Sequence, residues 1–130
     1  MSLNVRVITP DKVVWDASAD ELILPSSTGQ LGILTDHAPL LTALDIGVMR
    51  LKTDGNWTSI VLMEGFAEVE DNKITILSNG AEEGANIDLS TAQADLEKVT
   101  LLVDQATTKK EKIEATLELR KAKARLQAVA

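Results

Sequence analysis

The sequence predicts a β-sandwich or small barrel followed by an antiparallel helical hairpin. Three observations carry this prediction. Strand punctuation is confined to the first part: six of the seven glycines precede residue 81 and all three prolines precede residue 40. The charge balance turns over at the same place, with 5 basic and 13 acidic side chains in residues 1–84 but 8 and 7 in residues 85–130. The apolar period changes there too, from alternation to spacings of three and four. The division therefore falls between residues 1–84 and residues 85–130, with Gly84 at the junction.

Taken in order, Leu3, Val5 and Val7 alternate with polar residues and read as a strand. Further strand candidates are Val13 to Trp15, Glu21 to Leu24, Gly47 to Lys52, Ser59 to Met63, Ala67 to Val69 and Ile74 to Leu77. Turn chemistry separates them at Thr9-Pro10-Asp11, Ser27-Thr28-Gly29, Asp54-Gly55 and Asp71-Asn72. Many short strands between close turns indicate a sandwich or barrel.

The second part reads as two helices. Ser90-Thr91-Ala92-Gln93 has a capping-box pattern and opens a helix to about Gln105. Its apolar stripe is Ala92, Leu96, Val99, Val103 and Ala106. Thr108 with Glu111 forms a second capping box, opening a helix to about Ala128. Its stripe is Ala115, Leu119, Ala122, Leu126 and Val129, with Ile113, Leu117 and Ala124 widening the face. Alanine offers little apolar area, at about 25 cal/mol per Å² buried, so the helices are expected to undock cheaply. The connection from Asp104 to Lys109 holds neither glycine nor proline. Nothing in it forbids helical dihedrals. Fused from Asp88 to Ala128, the pair would make a rod about 60 Å long. A docked hairpin and an extended rod are both open on composition alone.

Composition excludes several function classes. The chain has no cysteine, so disulfide scaffolds, thiolate metal sites and a cysteine nucleophile are ruled out. A net charge of −7 and only three aromatics, Trp15, Trp57 and Phe66, argue against nucleic-acid binding. The longest apolar run is four residues, too short to span a bilayer, and the N-terminus reads as neither a signal nor a transit peptide. His37, the one histidine, has no carboxylate cluster beside it and reads as a turn residue rather than a metal ligand. Gly29-x-x-Gly32 lacks the Gly-Lys-Ser/Thr of a phosphate loop. Glu82-Glu83 read as solvated charges at the domain boundary. No catalytic constellation, metal site or cofactor site is expected. Arg120, Lys121, Lys123 and Arg125 are a cationic run with no intervening acid on an otherwise acidic chain. The ordinary reading of such a run is a solvated helix face. The alternative is a surface for an acidic protein partner.

The run Gly29-Gln30-Leu31-Gly32-Ile33-Leu34-Thr35-Asp36-His37-Ala38-Pro39-Leu40-Leu41-Thr42-Ala43-Leu44 resembles the signature of the epsilon subunit of F-type ATP synthase. The opening Leu3-Asn4-Val5 to Thr9-Pro10, Val14-Trp15-Asp16, Asp45 to Val48, Gly65-Phe66-Ala67 and Lys112 to Ala115 resemble its cyanobacterial and chloroplast branch. The resemblance covers the whole chain. It implies an antiparallel β-sandwich of about ten strands followed by a helical hairpin. It also implies a non-catalytic place in the central rotor stalk, beside the gamma subunit and on the c-ring. There the subunit couples proton-driven rotation to ATP synthesis and restrains hydrolysis. Membrane association is then only through the complex, on the stromal or cytoplasmic face of the thylakoid membrane or on a bacterial plasma membrane. The c-ring contacts it implies are Gln30, Leu31 and His37.

By the same resemblance, an extended tail brings Arg120, Lys121, Lys123 and Arg125 to an acidic segment of the beta subunit. Some family members bind ATP through I/L-D-x-x-R-A, which here reads Ile87-Asp88-Leu89-Ser90-Thr91-Ala92. Thr91 stands where the arginine would be and has no guanidinium to offer a phosphate, so little or no ATP binding is expected. The rival reading is a freestanding β-sandwich interaction module with a helical oligomerisation tail.

Overall fold

The alternating residues of the first part do pair, and they do so in more strands than their apolar pattern marks. The computed structural model describes residues 2–130. Its strands are β1 (Leu3–Ile8), β2 (Val13–Ala19), β3 (Glu21–Ser26), β4 (Gly29–Ile33), β5 (Leu40–Leu44), β6 (Gly47–Thr53), β7 (Asn56–Leu62), β8 (Gly65–Glu70), β9 (Lys73–Ser78) and β10 (Ala81–Glu83). A 3-10 turn at Gly84–Asn86 leads to α1 (Leu89–Gln105) and α2 (Lys109–Val129). Strands β4, β5 and β10 lie outside the segments that alternation marked. β4 contains two glycines, β5 starts directly after Pro39, and β10 has only three residues.

The strands run in the order β10-β7-β6-β3-β5-β8-β9-β1-β2, with β4 paired to β3. All pairings are antiparallel except one: β1 lies parallel to β9, with Val5 opposite Ile74 and Val7 opposite Ile76. The sheet is therefore mixed at that one seam. Parallel neighbours cannot be joined by a tight hairpin, and here the sequence between them is the rest of the sandwich. Leu3, Val5, Val7, Leu22, Leu24, Ile33, Met49, Leu51, Ile60, Leu62, Ile74 and Ile76 are fully buried. Each such side chain contributes about 1.5–3 kcal/mol.

Two hairpin turns match their sequence signals. Asp54 and Gly55 have φ of 51° and 80°, and Asp71 and Asn72 have φ of 50° and 62°. Paired left-handed residues suit the twist of a two-residue hairpin, which is why Asp-Gly and Asp-Asn serve there.

The helices correct one detail. The cap of α1 is Asp88, two residues before the serine of the capping-box pattern. A carboxylate outcompetes the Ser90 hydroxyl for the helix N–H groups, and Ser90 itself donates to it. The cap of α2 is Thr108, as its sequence indicates. The stripes Ala92, Leu96, Val99, Val103, Ala106 and Ala115, Leu119, Ala122, Leu126, Val129 are buried or half-buried. Ile113 and Leu117 are exposed and do not widen the face, and Ala124, although buried, lies on the opposite side of α2 from it.

Ala122 and Ala124 are both buried although about 200° apart around α2. The end of α2 is therefore covered on two sides, by α1 and by the β6–β7 surface of the sandwich. Val61 is fully buried yet lies outside the sandwich core, because it faces α2. A Cβ at Gly84 would stand 3.1 Å from Ser59 O and 3.3 Å from Ala128 O, so glycine lets α2 come close.

Candidate functional site

Residues opposite one another on paired strands share a face of the sheet. On the outer face of β5, β8, β9, β1 and β2, one register row is apolar throughout. Ala43 is opposite Phe66, Phe66 opposite Leu77, Leu77 opposite Ile8, and Ile8 opposite Val13. Phe66 is 57% exposed and Leu77 53%, and Leu41 on the same face is 70% exposed. A shallow groove of ≈ 580 Å³ runs beside the row, reaching Pro10, Gly65 and Asn79. Exposed large apolar side chains lined up in this way mark a binding surface.

The sequence reading did not single out this row, but its signal is there. Outward positions are polar along most of these strands, as at Asn4, Arg6, Glu68, Glu70, Lys73 and Thr75. The exceptions on β1, β8 and β9, Ile8, Phe66 and Leu77, all fall at one register, and Leu41 on β5 lies two residues further along. Pairing is needed to see that they meet.

The predicted c-ring residues are not brought together. Gln30 is exposed beside the β3–β4 turn, where Gly29 has φ 124° and Ser26 Oγ lies 3.2 Å from Thr28 Oγ1. Leu31 is half-buried against the core, so it is mainly a packing residue. His37 lies beyond the far end of β4. Its Nδ1 is 2.7 Å from Ala38 O, and the preceding Asp36 N–H donates to Asn72 Oδ1 at 2.6 Å. That ties His37 to the β8–β9 turn. β3 meets β5 at Ser26 and Leu44, whereas Leu40, at the other end of β5, pairs with Val69 near that turn. Gln30 and His37 therefore sit at opposite ends of the sandwich. The apolar row lies toward the Gln30 end, since Ala43 adjoins Leu44.

The four basic residues of α2 do not share one face. At about 100° per residue, Arg120 and Lys123 fall about 60° apart, and Lys121 and Arg125 about 40° apart on the other side. Arg120 and Lys123 are exposed, while Lys121 and Arg125 are half-buried toward the sandwich. Lys121 Nζ is 3.5 Å from Glu118 Oε1. Arg125 Nε is 2.9 Å from Glu82 Oε2 on β10, so Glu82 is an ion-pair partner rather than a free boundary charge. Lys109, Lys112, Ile113, Leu117 and Arg120 flank one exposed groove on the outer side of α2.

In the segment Ile87, Asp88, Thr91, Ala92, the Asp88 carboxylate is occupied. Its Oδ2 accepts from Ser90 Oγ at 2.7 Å, from Thr91 N–H at 3.0 Å and from Thr91 Oγ1 at 2.9 Å. The Ser90 hydroxyl, then the Thr91 N–H and hydroxyl, hold its pKa below the ordinary carboxylate value. Ala92 is buried in the helix seam. Among the described residues, no helix is long and apolar enough to cross a membrane.

The fold class is thus a β-sandwich with one exposed apolar row and a docked C-terminal helical pair. The family described as ATP synthase, Delta/Epsilon chain, beta-sandwich domain matches residues 2–84. The chain belongs to this ATP synthase delta/epsilon chain family. It is 89% identical over 130 residues to the chloroplastic ATP synthase epsilon chain of Emiliania huxleyi, covering 100% of both chains. It is 57% identical to the ATP synthase epsilon chain of Thermosynechococcus vestitus, covering 98% of this chain and 95% of that one. The fold is shared by a chain in the Euglena gracilis mitochondrial ATP synthase OSCP/F1/c-ring structure. That match has a TM-score of 0.83 at 18% identity, over 95% of this chain and 78% of the other.

Proposed function

We propose that this chain is a non-catalytic rotor subunit of a proton-translocating ATP synthase, seated in the central stalk at the thylakoid surface. Residues 1–84 act as the docking domain and residues 85–130 as a regulatory arm. The bare row Ala43–Phe66–Leu77–Ile8–Val13 is the observation that carries this reading. It is the face through which the sandwich grips the gamma subunit. Phe66 and Leu77 are 57% and 53% exposed, so covering what remains contributes about 0.8–1.7 kcal/mol each. The exposed β3–β4 turn with Gln30, toward the same end, meets the c-ring. On this reading Gln30 makes that contact, whereas His37 is tied to the β8–β9 turn at the other end of β4.

The helical pair restrains hydrolysis by leaving the sandwich and extending. Its seam is alanine-rich, and Ala106 and Thr108 hold extended ψ values of 128° and 158° that a helix could replace without any glycine or proline in the way. Arg120, Lys121, Lys123 and Arg125 then face the acidic segment of the beta subunit. ATP binding by the free subunit is expected to be negligible, since Asp88 is engaged in the α1 cap and Thr91 carries no positive charge.

The test is co-purification with gamma and the c-ring. The double variant Phe66→Asp/Leu77→Asp should lose gamma at least about 100-fold, as burying two unpaired carboxylates requires. Retention of gamma at wild-type affinity would sink the assignment. Self-association of the wild-type chain, with no capture of gamma, would favour the oligomerisation-tail alternative.

A further inference from the structure

Among the described residues, Glu82–Arg125 is the one ion pair that joins the sandwich to the helices. It is also the one side-chain hydrogen bond between them. The rest of the junction holds Ala124, Val61 and the glycine at 84, and beside them a cleft where Ile46, Met63 and Glu64 stand across from Lys98, Val99 and Lys121 without a direct polar bond. Glu82 is aimed there by register, since it pairs with Val61, whose side chain is buried under α2. The two side chains are 33% and 42% exposed, so the contact is partly shielded from water.

We infer that Glu82 is an internal decoy for the acidic partner: it holds the Arg125 guanidinium in the docked state and so withholds it from that partner. This rests on the reading of the helices as an extendable arm. Arg125 Nε has one proton to donate, and it is given to Glu82 Oε2 at 2.9 Å. The Nη donors remain, so the exclusion is one of position: while Arg125 is held against β10 it is not where an extended arm would carry it. Docking and partner binding are thus linked in opposition, through one residue. Lys121, about 40° from Arg125 around α2, keeps its Glu118 partner, which moves with the same helix. Arg120 and Lys123 stay exposed in the docked state, so they are available to a partner before the arm moves.

The experiment uses the full chain, which has no native cysteine to interfere with labelling. Spin labels on Asn56→Cys and Gln127→Cys report the distance from β7 to the end of α2. Glu82→Gln keeps the shape and removes the charge. It should raise the undocked fraction on the order of three- to tenfold, the range for a charged contact that is half shielded. Arg125→Glu should do the same, and the swap Glu82→Arg/Arg125→Glu should restore docking. An undocked fraction unchanged in Glu82→Gln overturns the decoy. In the assembled enzyme, Glu82→Gln should lower ATP hydrolysis, while the swap should stay docked and hydrolyse freely. Undocking by Glu82→Gln with hydrolysis unchanged would leave the latch standing and instead defeat the reading of the arm as a brake.

Discussion

The two outer faces of the sandwich carry similar apolar side chains and meet opposite fates. On β6, β7 and β10, Val48, Val61 and Glu82 form one register row, and α2 lies over it so that Val61 is fully buried. On β5, β8, β9, β1 and β2, the row through Phe66 and Leu77 is left in water. The difference teaches where the chain supplies its own cover and where it depends on another molecule. The self-covered face is sealed by alanine, whose small area makes the cover removable. The bare face offers a phenylalanine and a leucine, whose larger area suits a lasting attachment.

The strongest way to break the comparison is to destroy the bare face from beneath. Gly65 has φ 151°, and a Cβ there would collide with the Leu77 carbonyl. Gly65→Ala should cost about 3–5 kcal/mol in urea unfolding, because backbone on both strands must move. Next comes the same substitution on each face. Val61→Asp should free α2 from the sandwich or cost about 3 kcal/mol, since a carboxylate is buried without a partner. Phe66→Asp should change stability by less than about 0.5 kcal/mol while abolishing gamma binding. Equal stability losses in the two variants would show that the bare face is not bare.

A gentler probe is Gly84→Ala. The added methyl presses on Ser59 O and Ala128 O and should weaken α2 docking by about 1 kcal/mol, seen as faster amide exchange at the end of α2. The smallest effect is the pH response of the α1 cap. Asp88 has a lowered folded pKa, so its contribution is present above the ordinary carboxylate range of about 3.9. It is lost as pH falls through the lowered value. Helix content measured by circular dichroism should fall in that acid range, and Asp88→Ala should remove the step. A step of equal size in Asp88→Ala would assign it to another group.

How much of this the sequence revealed depended on whether a feature is local. The helices, the Thr108 cap, the Asp54-Gly55 turn and the strands with clean alternation were all legible, because each is decided by neighbouring residues. β4, β5 and β10 were not, because glycine, proline and short length erase the alternation and only pairing makes them strands. The resemblance carried by Gly29 to Leu44 implied the right strand number where periodicity stopped at seven candidates. The division of Arg120, Lys121, Lys123 and Arg125 between two sides of α2 follows from helix geometry and was readable. That Glu82 meets Arg125 was not, since the two are 43 residues apart and joined by the docking of whole elements. The apolar row is the clearest case of information spread across the chain. Its members sit at residues 8, 13, 43, 66 and 77, and no window of the sequence contains them.

The seam between β1 and β9 gives that dispersal a temporal meaning. The first strand waits for nearly the whole sandwich to be synthesised before its parallel neighbour exists. Contacts so distant in sequence form late and slowly. A nascent chain therefore has no complete apolar row until its opening and closing segments have met. Attachment to the rotor can then select finished molecules over partial ones, with no separate inspector.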